Sequence, residues 1–176
     1  MKKFRELTAG DIECRINTIS AKGCSLLLYK DARCDMKILD ETVGPENWKR
    51  SHELINGNLF CNVSIYDPDK KEWVTKQDVG TESYKKKKKK REKASDAFKR
   101  ACFNWGIGRE LYTAPFIWIG TDGVTLKEVE QQGKKKYTTY DKFRVTQIII
   151  ENGEIKALAI KNDSIGEMVF KYDVRG

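Results

Sequence analysis

Two groups of charged side chains in this 176-residue sequence could carry chemistry, and the first of them is acidic. Carboxylates recur at Asp31, Asp35, Asp40 and Glu41. Clustered carboxylates are the ligands with which a metal-dependent nuclease holds Mg²⁺. The apolar side chains of the same segment follow a helical spacing on another face, so the pattern favours a solvated helix face. A metal-dependent nuclease stays open as the alternative function.

The second group is basic and includes a low-complexity run. Between Lys71 and Glu110 the sequence has 13 Lys and Arg against 6 Asp and Glu, a local net charge of +7. Such an excess attracts polyanions. The run itself consists of Lys85, Lys86, Lys87, Lys88, Lys89, Lys90 and Arg91. Repelling charges of this kind are typical of a solvated loop, so a solubility loop and a loop that contacts nucleic acid both stay open.

A Lys-Arg pair, Lys99 and Arg100, follows the run on a predicted helix. The apolar stripe of this helix comprises Ala94, Phe98, Ala101 and Trp105. At about 100° per residue, Arg100 lies about 200° and Lys99 about 100° from Phe98 around the helix. Both side chains therefore leave the core, where they can contact phosphates. An ion pair between Asp96 and Arg100, at i and i+4, is the structural alternative.

Several other chemistries lack their motifs. The sequence has no Gly-x-x-x-x-Gly-Lys-Ser/Thr loop for ATP, and Gly106-Ile107-Gly108 lacks the third glycine of a dinucleotide fingerprint. The five cysteines and the single His52 do not show the spacing of a metal site. We expect the cysteines to be buried or half-buried free thiols. The sequence therefore predicts a non-enzymatic protein without cofactor or metal.

Hydrophobic periodicity indicates the elements that position the basic groups. Asp31 is the predicted N-cap of a first helix, which Gly44-Pro45 ends. The predicted apolar stripe of that helix comprises Ala32, Met36, Leu39 and Val43. Residues 59–66 and 72–78 alternate as two strands of a hairpin around the turn 67–70.

The remaining segments are mostly strand-like. Residues 11–20 fit either a helix or a strand, and residues 24–29 fit a strand. Residues 144–150, 154–161 and 168–172 are predicted strands, and Asn152-Gly153 between the first two is typical of a type I′ turn. Trp48 and Trp105 are interpreted as structural, whereas Tyr66 and Trp73 beside the hairpin could also stack on bases.

Two stretches are more specific than periodicity. One is Val43-Gly44-Pro45-Glu46-Asn47-Trp48. The other is Asp78-Val79-Gly80-Thr81-Glu82-Ser83, followed by the basic run and by Ala94-Ser95-Asp96-Ala97-Phe98-Lys99-Arg100-Ala101-Cys102-Phe103-Asn104-Trp105-Gly106-Ile107-Gly108-Arg109. In this order they resemble the Rad-fifty-two type single-strand annealing proteins, in particular the bacteriophage branch. The resemblance covers roughly residues 11–112.

The resemblance implies a β-β-β-α core, in which an antiparallel sheet packs on a long helix. With the strands predicted near the C-terminus, the expected fold is α+β with a small C-terminal β segment. Residues 1–112 are then the single-strand annealing core domain, and residues 113–176 a mostly β extension of unassigned role. The resemblance further implies a homo-oligomeric ring with single-stranded DNA in a basic groove, and Lys99 and Arg100 lining it. Arg15 is the nearest match to a further groove arginine in the first element.

One position departs from the family. Eukaryotic members carry an arginine three residues after the Lys-Arg pair, where this sequence has Phe103. Phe103 could stack on DNA or pack inward, and the sequence leaves both open.

We therefore expect an ATP-independent protein that anneals single-stranded DNA in recombination and repair, with an exonuclease or a single-strand binding protein as a further partner. An RNA-binding accessory module is a second alternative to annealing. No run of about 18 apolar residues is present, and the N-terminus lacks a signal peptide pattern. The expected location is cytoplasmic, in the bacterial host if the protein is phage-encoded, without membrane contact.

Overall fold

A computed structural model describes residues 3–81 and 89–176, and their contacts fall into two compact units. The first unit comprises Met1–Glu6 and Lys30–Arg109, and the second Leu7–Tyr29 and Glu110–Gly176. The helices are α1 (Ala32–Val43) and α2 (Lys90–Asn104). The strands are β1 (Glu13–Ser20), β2 (Gly23–Tyr29), β3 (Trp48–Ile55), β4 (Asn58–Asp67), β5 (Glu72–Val79), β6 (Ile117–Gly120), β7 (Lys127–Gln131), β8 (Lys134–Thr138), β9 (Phe143–Glu151), β10 (Glu154–Asn162) and β11 (Glu167–Asp173).

The first unit confirms the predicted β-β-β-α arrangement. Strands β3, β4 and β5 form an antiparallel sheet in that order, and α2 follows them in the chain. Alternation along β4 turns Cys61, Val63 and Ile65 to one face, where all three are fully buried. Phe98 and Ala101 of α2 are fully buried too, and the indole of Trp105 donates to the carbonyl of Val63 at 2.9 Å. The helix therefore packs on this face of the sheet.

Helix α1 begins and ends as predicted, but its buried face differs from the prediction. Asp31 is the N-cap, since its Oδ1 accepts from the amide of Cys34 at 2.8 Å, and Gly44 ends the helix with φ 88°. The buried side chains are Cys34, Asp35, Ile38 and Leu39. Of the predicted stripe only Leu39 is among them. The predicted solvated face is therefore wrong at Asp35, which is buried because it is paired with a lysine.

The second unit is built from strands and short 3-10 turns. Its sheets have the orders β1-β2-β6, β11-β10-β9 and β7-β8, and every pairing is antiparallel. Most of the ambiguous segment 11–20 forms strand β1, which begins at Glu13, and the three predicted C-terminal strands are confirmed as β9, β10 and β11. Buried side chains include Ile117, Ile119, Leu158 and Ile160. The domain boundary expected at residue 112 stays a prediction.

Two further expectations concern the thiols and the membrane. The five cysteines are thiols outside any disulfide, four of them buried and Cys14 half-buried, as predicted. Burial raises the pKa of Cys61 to about 11, so this thiol stays protonated at neutral pH. Within the two described ranges, no helix is both long enough and apolar enough to span a bilayer.

Candidate nucleic-acid interface

The segment that ends β5 is held against α2 at successive levels of the helix. Asn104 donates to a backbone carbonyl of β5 at 2.7 Å. One carboxylate oxygen of Asp96 accepts from both the amide and the hydroxyl of Thr81, at 2.9 and 3.1 Å. Gly80, which precedes Thr81 in the chain, lies so close to α2 that a Cβ on this glycine would meet the carbonyl oxygen of Lys93 at 2.8 Å. The motif Asp78-Val79-Gly80-Thr81 thus fixes the helix on the sheet.

Lys99 and Arg100 lie on the side of α2 that this docking leaves half-exposed. The Nε of Arg100 is 3.9 Å from Oδ1 of Asp78, which is too long for a hydrogen bond. Within the described ranges this Nε has no hydrogen-bond acceptor. Arg100 therefore interacts with the carboxylate of Asp78 through charge, without a hydrogen bond from its Nε.

A buried ion pair lies beneath the same turn of α2. The Nζ of Lys30 donates to Asp35, and the two side chains are 1% and 0% exposed. The same Nζ lies 3.5 Å from the backbone carbonyl of Lys99 and 4.2 Å from the ring centroid of Phe103. Phe103 therefore contacts Lys30, which favours inward packing over a stacking role.

The two carboxylate oxygens of buried Asp35 differ in their hydrogen bonding. One accepts from Lys30, while Oδ2 is buried without a hydrogen-bond partner among the described residues. Desolvation raises the pKa of Asp35 from its ordinary 3.8 to about 6, and Lys30 opposes the rise. A Cβ at Gly108 would lie 2.6 Å from Cε of Lys30, so this glycine makes room for the lysine stem.

The other predicted DNA-binding residues divide among three places. Lys89 is the N-cap of α2, and Lys90 and Arg91 are exposed in its first turn. Lys85, Lys86, Lys87 and Lys88 lie outside the described residues. Arg15 lies in the second unit on β1, 3.1 Å from Glu13, with its guanidinium 4.7 Å from the ring centroid of Tyr29.

Two basic residues near α2 were missed by the sequence reasoning. Arg50 of β3 places its guanidinium 4.6 Å from the ring centroid of Phe98, and Lys76 of β5 places its Nζ 5.4 Å from that of Trp105. Both positions lie on the sheet face that carries the helix. The alternation of β5 could have indicated Lys76. Arg50 could not be indicated in this way, because the sequence of β3 has no regular alternation of apolar and polar residues.

The aromatic residues singled out in the sequence have distinct surroundings. Trp48 stacks on Phe98 with ring centroids 6.0 Å apart and donates to Asp40 at 2.7 Å, so its structural role is confirmed. Tyr66 and Trp73 make an edge contact with centroids 5.6 Å apart, on the sheet face away from α2. Lys49 lies 4.2 Å from the Trp73 ring centroid. Base stacking by this pair stays a prediction.

The carboxylates of α1 are engaged in separate structural bonds. Asp31 caps the helix, Asp35 pairs with Lys30, Asp40 accepts from an indole, and Glu41 accepts from Arg5 at 2.9 Å. Across residues 3–81 and 89–176, no three His, Cys, Asp or Glu side chains are grouped so that they could hold a metal ion.

The first unit is thus an antiparallel sheet that carries a helix with half-exposed basic side chains, and basic side chains of the sheet lie beside this helix. The sequence is similar to the single-stranded DNA-binding protein DdrA of Deinococcus radiodurans, with 33% identity over 101 residues. The match covers 55% of this chain and 45% of DdrA, so it spans less than half of that protein. No protein family and no solved structure matches the sequence.

Proposed function

We propose that the protein binds single-stranded DNA through its phosphate backbone, along the outer side of α2, and anneals complementary strands without ATP. The observation that carries the proposal is the placement of Lys99 and Arg100 on a helix that the Asp78–Thr81 motif fixes to the sheet. The similarity to DdrA, a protein named for single-stranded DNA binding, supports it. So does the resemblance to the single-strand annealing proteins.

The chemistry of annealing fits a site of this kind. Two complementary strands repel each other through their phosphates, so a protein that neutralises phosphates lowers the barrier to their encounter. The base edges must remain free to pair, which requires contacts to the backbone rather than to the bases. Arg50 and Lys76 add positive charge beside α2. Annealing needs no group that forms or breaks a covalent bond.

The first prediction is a steep salt dependence of binding. If the backbone is the ligand, the logarithm of the affinity for oligo-dT should fall linearly with the logarithm of salt concentration, by about 0.7 for each phosphate neutralised on a single strand. Fluorescence anisotropy of labelled oligo-dT and of a mixed-sequence oligonucleotide measures this, and the two slopes should agree. Energy transfer between labelled complementary strands should then report annealing without ATP.

Three outcomes would argue against the proposal. A flat salt response would show that phosphates are not the main ligand. Mg²⁺-dependent cleavage of the labelled DNA would favour a nuclease. Preference for RNA over DNA of the same sequence would favour an RNA-binding module.

We also propose that the protein assembles into a homo-oligomeric ring. Strand β6 pairs only with β2 among the described strands, so no strand is hydrogen-bonded to its other edge. Buried Ile117 and Ile119 alternate there with Phe116 and Trp118, which are 78% and 40% exposed. Leu27 on β2 belongs to the same sheet face and is exposed as well. Exposed apolar residues grouped at such an edge are typical of a protein–protein contact.

The second prediction concerns this apolar group. Native mass at micromolar concentration should be several times that of one chain, and Phe116→Ser with Trp118→Ser should lower it, because the contact loses most of its apolar area. Light scattering coupled to size exclusion measures the mass. Val174→Ser, which also replaces an exposed apolar residue, should leave the mass unchanged. A monomeric parental protein that still anneals DNA would refute the ring.

A further inference from the structure

The hairpin of β7 and β8 separates its charges between its two faces. Cross-strand register places Lys127 opposite Thr138, Val129 opposite Lys136, and Gln131 opposite Lys134. Since alternate residues of a strand point to opposite faces, these six side chains share one face, which carries three lysines and no carboxylate. We call it the lysine face. The other face carries Glu128, Glu130, Lys135 and Tyr137.

The carboxylates of the hairpin do not neutralise the lysine face. Lys135 pairs with Glu128 at 3.2 Å, which is a contact within the opposite face. On the lysine face, Lys136 donates to the neutral amide oxygen of Gln131 at 2.8 Å, so this bond does not pair it with a carboxylate. Lys127 lies 4.6 Å from the ring centroid of Tyr140, whose side chain is 73% exposed. This face therefore combines cations with an exposed aromatic ring.

The turn of the hairpin is of the kind that fixes register. Gln132 and Gly133 connect the strands with φ of 52° and 71°, the positive values that a two-residue type I′ turn requires. The Cα atoms of Lys134 and Lys136 are thus about 7 Å apart along one strand. This separation is comparable to that of neighbouring phosphates in an extended nucleic-acid strand. Because the backbone is already ordered, binding a phosphate costs little backbone conformational entropy.

We propose that the lysine face is a second contact surface for single-stranded nucleic acid, in which Lys127, Lys134 and Lys136 bind phosphates and Tyr140 offers its ring to a base. The proposal rests on the proposed function, because both surfaces would bind the same ligand. Cations beside an exposed aromatic ring suit a single strand, whose bases stack on aromatic rings while its phosphates need cations. An acidic protein surface would use the cations alone.

The test compares lysines on the two faces. Lys127→Gln, Lys134→Gln and Lys136→Gln combined should lower the slope of log affinity against log salt by about 2, since each phosphate contact accounts for about 0.7. Lys135→Gln, in the same strand, should leave the slope unchanged. Anisotropy with a long oligo-dT measures both. If the triple variant fails to fold by circular dichroism, Lys136→Gln alone should lower the slope by about 0.7.

The outcomes separate this proposal from the function on which it rests. If the parental protein binds DNA and the triple variant shows the same slope of log affinity against log salt, the lysine face is not a contact surface for DNA. The proposed function would then still stand. A parental protein that does not bind single-stranded DNA would overturn both. A triple variant that changes native mass and keeps the parental slope would show a contact between copies of the chain, and would also overturn the proposal.

Discussion

Replacing Asp35 by Leu, or Lys30 by Met, is expected to destabilise the protein by about 3–5 kcal/mol, because either change leaves the other charge buried without its partner. Both side chains are within 1% of complete burial. Removing both charges together should cost far less, and the double variant should recover most of the parental stability, since apolar side chains of similar volume avoid desolvation altogether. Urea unfolding of the four proteins measures these differences.

A surface pair on the same helix is the control. Lys37 lies 3.7 Å from Glu41, and both side chains are well exposed. Replacing Lys37 by Met should therefore change the free energy of unfolding by less than about 1 kcal/mol. If the double variant lost as much stability as the two single variants together, Lys30 and Asp35 would be acting independently, and the pair would not be the unit that matters.

The same pair makes stability depend on pH. The pKa of Asp35 is about 6 in the folded protein against an ordinary value of 3.8, so the folded state holds more protons on this group between these values than the unfolded chain does. The contribution of Asp35 to stability therefore falls as pH rises through this window. The stability of the double variant relative to the parent should accordingly increase from about pH 4 to about pH 7.

Lys99→Ala combined with Arg100→Ala should abolish stable binding of single-stranded DNA while the fold stays intact. Charge-assisted hydrogen bonds are worth about 1.5–3 kcal/mol each, so losing two of them weakens binding by at least about 100-fold. The fold should tolerate the change because alanine is the best helix former and the 3.9 Å pair with Asp78 is partly exposed. Anisotropy measures binding, and thermal unfolding measures stability.

The chain offers a matched control on the same helix. Lys90 and Arg91 form another Lys-Arg pair, exposed in the first turn of α2. Their replacement by alanine removes the same charge but should weaken binding of one strand much less, and slow annealing of two strands more. Equal losses of binding from the two double variants would mean that only net charge matters. Parental binding by the Lys99–Arg100 variant would place the groove elsewhere.

Helix α2 was predictable because its apolar residues pack as their spacing indicates. Phe98, Ala101 and Trp105 are all buried, and a stripe of this kind specifies which face meets the sheet. The Asp78–Thr81 motif was recognisable as a pattern, but its physical role was not. Only the contacts of Gly80 and Thr81 with α2 show that it fixes the helix in place.

The features that escaped prediction are those in which charge overrides periodicity. Because Asp35 is buried, the core face of α1 differs from the stripe that the apolar spacing indicates. Nothing local in the sequence links Lys30 to Asp35. Strand β3 carries Lys49, Arg50 and Glu53 and is exposed almost throughout, so pairing with β4 rather than burial makes it a strand. The charged hairpin of β7 and β8 likewise lacks an apolar signal.

Most of the first unit, Lys30–Arg109, is inserted in the chain between Tyr29 and Glu110 of the second unit. Strand β2 ends just before this insertion, and it pairs with β6, which follows the insertion. The insertion therefore separates in sequence two strands that are neighbours in one sheet. Segments of different length could be exchanged between Tyr29 and Glu110 while the pairing of β2 with β6 is preserved, which makes these two positions natural sites for building chimaeras.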